Sequence, residues 1–169
     1  MKKAAISPDP QYFSRYIDKV PDIDLIPALE QSLHELQTMD TAPLEAKADY
    51  AYGPGKWTIK QVLQHLTDTE RIFTYRTLLF ARKDSNVAPG FDENYYAAIA
   101  EVADRSFGEV LDELKAQRMA TIALFKSFSD EVLLRKGMSW KYEMSVLAMG
   151  FTTAGHQIHH FEVIRERYL

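Results

Sequence analysis

The sequence predicts an all-α protein, a four-helix bundle in a single domain over residues 1–169. Three observations lead there. Four long stretches repeat apolar residues at helical spacing. Two of them open on a capping-box pattern. No stretch reads convincingly as a β-strand, the short "MSWKYEM" being the nearest candidate. A hydrophobic content of 46% and a charged content of 26% are those of an ordinary globular domain, and 169 residues can bury a sizeable core.

The first helix is expected over 24–39, where Leu25, Leu29, Leu33 and Leu36 share one stripe. Pro27 must then lie in the first turn, where its missing N–H does no harm. "YGPGKW" breaks the chain. Thr58 and Gln61 form a capping box, so a second helix starts near Ile59 and runs to Arg82, with Ile59, Val62, Leu66 and Phe73 inward. "KDSNVAPG" reads as a loop and "FDENYYAAIA" as a short helix. Ser106 and Glu109 repeat the capping box ahead of a third long helix to about 128, carrying Val110, Leu111, Leu114, Ile122 and Phe125. "SDEVLLRKG" reads as one or two turns closed by Gly137. The last helix is expected over 145–168. The links of about 18 and about 23 residues between successive long helices are long enough to be functional or to cover something.

Composition excludes several classes. A net charge of −4 with scattered basic residues carries no footprint for nucleic acid or an anionic membrane. There is no cysteine, hence no disulfide and no thiolate ligand. No apolar segment follows the lysines of "MKKAAISPDP", and no run of about 18 apolar residues could span a bilayer, so the expected location is cytoplasmic.

The chemistry sits in "GHQIHH", residues 155–160. The surrounding stretch 144–161 contains no Asp, Glu, Lys or Arg. On a helical wheel Leu147, Phe151, Ala154, Ile158 and Phe161 fall on one side. His156 lies roughly opposite, with His160 about 40° away and one turn on. A helix uncharged on both faces is covered on both. Buried imidazoles need partners, and a divalent metal ion is one, since i, i+4 spacing lets two rings converge on it. His65, mid-way along the second helix among Val62, Leu66, Thr69 and Ile72, is the third candidate. His159 lies about 60° from His156 on the wheel and is the alternative to His160 at i+3. His34 reads as a surface residue. The competing reading is three hydrogen-bonded core histidines. Gln157 stands where a zincin would carry its Glu, which argues against a metalloprotease. The absence of any Glu-x-x-His pair argues against a di-iron bundle. A mononuclear site with three neutral ligands and one open position remains.

"KWTIKQVLQHLTDTERIFTYRTLLFAR", "PGFDENYY" and "GHQIHHFEVIRERYL" together resemble the DinB-like family of four-helix proteins, nearest its YfiT-like branch, whose name denotes a metal-dependent hydrolase. The resemblance runs from about Tyr12 to Leu169. It implies an up-down-down-up bundle and a divalent metal, zinc or nickel among the family's ions, held by His65, His156 and His160. It implies an enzyme acting on a small-molecule substrate, as a hydrolase or as a transferase of a low-molecular-weight thiol, and a homodimer. The rival is a non-catalytic, stress-associated metal-binding bundle. Asp68, Thr69 and His159 are candidates for supporting the ligand rings. Tyr75, Arg76, Phe91, Asp92 and Tyr95 are candidates for the pocket mouth.

Overall fold

In the computed structural model, which describes residues 1–169, both capping boxes form. Thr58 Oγ1 accepts from the Gln61 N–H at 3.2 Å, and Gln61 Oε1 accepts from the Thr58 N–H at 2.9 Å. Ser106 and Glu109 make the same pair of bonds at 3.2 and 2.8 Å. The helices they open are two of four long ones. In chain order the helices are α1 (Ser14–Ile17), α2 (Leu25–Thr38), α3 (Ala42–Ala46), α4 (Ile59–Ala81), α5 (Glu93–Ile99), α6 (Phe107–Lys126), α7 (Asp130–Leu133) and α8 (Val146–Arg167). Asp92 caps α5, as the short-helix reading of that stretch requires, accepting from the N–H groups of Asn94 and Tyr95.

Side-chain pairs give the direction of each long helix. Ser32 meets Arg118 and Glu30 meets Lys126, so α2 and α6 are antiparallel. Gln64 meets Arg105 and Glu70 meets Arg118, so α4 and α6 are parallel. Leu25 lies against Gly150 and Gln157 bonds Ser32, so α2 and α8 are parallel. The result is an up-down-down-up bundle. No helix is long and apolar enough to cross a membrane.

Two differences from the sequence reading bear on the site. "MSWKYEM" is a β-hairpin: β1 (Lys136–Ser139) pairs antiparallel with β2 (Tyr142–Ser145) around Trp140, which sits at φ 57°. Gly137 belongs to β1 and does not close α7. A Cβ there would overlap the Phe80 ring, so the glycine lets the hairpin lie flat against α4. The hairpin in turn holds the α4–α5 loop, with Trp140 N–H donating to Ala88 O at 2.8 Å and Ala88 N–H to Met138 O at 3.2 Å.

The apolar interior is in two parts. One, toward the hairpin, contains Leu25, Leu29, Phe73, Phe80, Phe125 and Phe151 among others. The other, toward the opposite end, contains Leu36, Ile59, Leu63, Leu111, Leu114 and Phe161 among others. Every long helix changes from one cluster to the other across a polar residue: Ser32 on α2, His65, Thr69 and Glu70 on α4, Arg118 on α6, and His156 and Gln157 on α8, all buried. This polar layer holds the candidate site.

Candidate metal centre

α4 and α8 pack antiparallel, so the inward stripe of α4 at His65 faces that of α8 at His156 and His160. His65 Nε2 lies 3.3 Å from His156 Nε2, and His160 Nε2 lies 3.0 Å from the same atom. All three nitrogens lie within 4.8 Å of one another. Gly155 permits the cover on the far side. A Cβ there would overlap the Tyr16 carbonyl, so the glycine brings α1 onto α8 and sets the Tyr16 ring edge-on to His156 at 5.1 Å.

Burial keeps these rings neutral. It pushes His65 down to about 4, with His159 adding repulsion, and His160 down to about 2, with His65 and His159 adding to it. His156, the deepest, is held well below its ordinary value by burial and then by its histidine neighbours. Neutral imidazole is the form that ligates a metal. Three neutral rings satisfy each other poorly, because each has one N–H and His156 Nε2 faces two other nitrogens. A metal resolves the conflict. Tetrahedral ligands at about 2.0–2.1 Å from an ion stand about 3.3 Å apart, close to two of the three spacings, 3.0 and 3.3 Å, the third lying within 4.8 Å. The donor set fits a divalent ion.

A model of the DinB superfamily matches residues 28–164, a span that includes all three histidines. The chain belongs to the DinB superfamily. A match among solved structures agrees in fold: YfiT from Bacillus subtilis, described as a probable metal-dependent hydrolase with an unusual four-helix bundle topology, superposes with a TM-score of 0.66 at 18% identity, over 95% of this chain and 90% of that one. No curated protein matches the chain by sequence.

In this DinB protein the three histidines end a cavity of about 670 Å³ between α1, α4, α8, the hairpin and the α4–α5 loop. Of the expected mouth residues, Arg76, Phe91 and Asp92 line it, while Tyr75 and Tyr95 do not and are 56% and 60% exposed. Thr69 reaches the site: its Oγ1 lies 3.4 Å from His65 Nδ1. Asp68 does not. Its Oδ1 accepts from Gln64 Nε2 at 3.0 Å and pairs with Arg71 at 3.3 Å. His159 lines the cavity beside the three, its ring 5.0 Å from His160 and 5.5 Å from Tyr16. His34 is exposed on α2. Gln157 turns away, donating to Ser32 O at 2.9 Å and Glu35 at 3.2 Å. A residue there cannot act on a ligand in the cavity.

Sequence reasoning missed Tyr16, Trp57 and Trp140 on the cavity wall and assigned Phe73 only to the core. The Trp57 ring lies 4.7 Å from His65, and its position just before the α4 cap was a usable signal. Phe73 continues the stripe of His65 and Thr69 at four-residue steps. For Tyr16 the signal was indirect: a glycine in mid-helix marks close backbone approach.

Proposed function

We propose that this protein is a metal-dependent enzyme that holds one divalent ion through His65, His156 and His160 and acts on a small molecule in the adjoining cavity. The observation that carries this reading is the convergence of three neutral imidazole nitrogens, without a carboxylate partner, at the end of a cavity. Imidazole donors suit zinc or nickel. A divalent ion there supplies a Lewis acid and lowers the pKa of water or of a thiol that reaches it. The chain's residues do the rest. The two clusters of apolar side chains exclude water from behind the rings. Thr69 orients His65 through Nδ1. Tyr16, whose hydroxyl burial pushes up to about 12, stays protonated and can donate a hydrogen bond.

Hydrolysis and transfer of a low-molecular-weight thiol both fit this arrangement, and they are the two arms of the test. Protein purified without an affinity tag is analysed for metal, then supplied with ester or amide substrates, and separately with a thiol plus an electrophile. Metal near one equivalent and turnover in either arm that chelation abolishes support the proposal. Bound metal with no turnover in either arm favours the non-catalytic metal-binding bundle. A protein that takes up no zinc or nickel refutes both. Pairing of two copies belongs to the same proposal, and light scattering tests it. A 19.4 kDa species at all micromolar concentrations counts against pairing.

A further inference from the structure

Arg76 is the one buried arginine without a carboxylate. Its side chain is 3% exposed and lines the cavity on the same stripe of α4 as His65, Thr69 and Phe73. The hydrogen bond it makes is from Nη2 to Pro89 O at 2.6 Å; Nε has no partner. Arg118, buried equally, shows what a completed guanidinium looks like in this interior. Its Nε and Nη2 clamp the two oxygens of Glu70 at 2.9 and 2.8 Å, and Nη1 donates to Ser32. A buried charge left unpaired is strongly unfavourable. Burial accordingly pulls the Arg76 pKa down, with no acidic group to offset it.

The carboxylates on the same wall do not complete it. Asp92 caps α5 through Oδ1, Glu93 is exposed, and neither forms an ion pair with Arg76. Aromatic rings line the space between Arg76 and the histidines. Phe73 lies between them, 6.0 Å from Arg76 Cζ and 5.9 Å from the His156 ring, and Phe91 also lies 6.0 Å from Arg76 Cζ. Eleven residues of helix put the Cα atoms of His65 and Arg76 about 16 Å apart, and both side chains reach into the gap.

We propose that Arg76 anchors the carboxylate of an elongated substrate whose apolar, flat middle lies along Phe73 and Phe91 and whose reacting end reaches His65, His156 and His160. This rests on the reading of those histidines as the reactive end. Carboxylate is chosen over other anions because the coplanar N–H groups of a guanidinium match two coplanar oxygens, as Arg118 and Glu70 show; in Arg76 the ligand shares Nη2 with Pro89 O.

The chain's two tryptophans, Trp57 and Trp140, both line this cavity, so their fluorescence reports its occupancy. Metal-free protein is titrated with 4-phenylbutyrate, with its amide, and with a phenylalkyl phosphonate of equal length. The acid is expected to bind at least ten times more tightly than the amide. In Arg76→Gln that ratio falls below threefold while the amide binds as before, and Arg15→Gln, at the exposed rim, changes it less than threefold. Should Arg76→Gln not fold, Arg76→Lys serves: without the planar edge its ratio drops several-fold. Equal binding of acid and amide, a ratio that survives Arg76→Gln, or an unchanged ratio in Arg76→Lys overturns the proposal. A phosphonate that binds more tightly than the acid overturns the choice of carboxylate. Working without metal separates the two readings. Acid that binds only after zinc is added sinks the Arg76 assignment and leaves the metal site standing. An acid preference in a protein that takes up no metal does the reverse.

Discussion

The polar layer that divides the core has two halves, which share α4 and α8, and they are solved in opposite ways. In one half Arg118, Glu70 and Ser32 close on one another. The guanidinium meets both oxygens of one carboxylate plus a hydroxyl; Gln157, beside them, donates from Nε2 to the backbone of α2 but leaves Oε1 without a partner. In the other half the Nε2 atoms of His65, His156 and His160 face one another at the end of a cavity, with no charged group to pair them. His156 and Gln157 are neighbours in the chain, about 100° apart on α8, and serve different halves. Burial of polar groups therefore does not distinguish structure from chemistry here; completeness does. A closed network specifies the bundle, and an incomplete one waits for a ligand.

Breaking the closed half gives the largest expected loss of stability. Glu70→Ala leaves Arg118 buried without its counter-charge, which typically costs about 3–5 kcal/mol. Urea denaturation measures it. Replacing both partners together by Leu and Met should recover most of the loss, because the uncompensated charge goes with them. If Glu70→Ala costs less than about 1 kcal/mol, below the usual cost of breaking a buried pair, the closed half is not what holds the layer.

The open half should behave the other way round. His65→Ala, His156→Ala or His160→Ala removes one of three ligands, so metal affinity should fall by more than the ~100-fold upper range for supporting residues. The metal-free variants should lose less stability than Glu70→Ala, since three neutral rings crowded together contribute little beyond their packing. Isothermal titration with zinc and urea melts of the apo-proteins check the two parts. An apo-His156→Ala protein as destabilised as Glu70→Ala would erase the contrast between the halves.

Acid sharpens the comparison further. The folded protein holds His65 near 4 against an ordinary 6.5, so between those values the unfolded chain binds the extra proton. Stability of the metal-free protein should therefore be level above pH 6.5 and fall as pH drops toward 4, with His160 and His156 adding to the fall. Metal affinity of the folded protein should hold through this range and decline only near pH 4 and below, where protons begin to compete for the His65 nitrogen. Urea midpoints between pH 7.5 and 5 test this, and the slope should be shallower in His65→Gln.

What was legible in the sequence is what depends on near neighbours. A capping box is a side chain bonding a backbone three residues away, so the starts of α4 and α6 follow from Thr58, Gln61, Ser106 and Glu109 alone. The i, i+4 pair on α8 is equally local. The β-hairpin was not legible, because four-residue strands carry almost no periodicity and its turn residue is a tryptophan at positive φ. Its support comes from Phe80 and Ala88, far away in sequence. The cavity mouth was legible only in part for the same reason. The bond from Arg76 to Pro89 and the grip of Trp140 on Ala88 decide that Phe91 turns inward and Tyr95 outward. Asp68 and Thr69 are one residue apart, and only the placement of Gln64 and Arg71 shows that Asp68 is taken.

The smallest expected effects separate residues that support the open half from residues that only adjoin it. Thr69 Oγ1 lies 3.4 Å from His65 Nδ1, at the outer end of hydrogen-bond reach. A partner of a metal-ligating ring is worth ~10–100-fold in affinity, and so long a contact belongs at the lower end. Thr69→Val, nearly isosteric, should weaken zinc binding about 10-fold while leaving one equivalent bound. His159 makes ring contacts with Tyr16 and His160 but no hydrogen bond to a ligand, so His159→Ala should weaken binding less than Thr69→Val. Its spacing of i+3 from His156 nevertheless makes it the natural substitute for His160. Competition titrations against a chromophoric chelator resolve differences of this size. If His159→Ala abolishes binding while His160→Ala keeps it, the ion sits one ring to the side of where the Nε2 atoms of His65, His156 and His160 meet, and the open half of the layer has been assigned to the wrong face of α8.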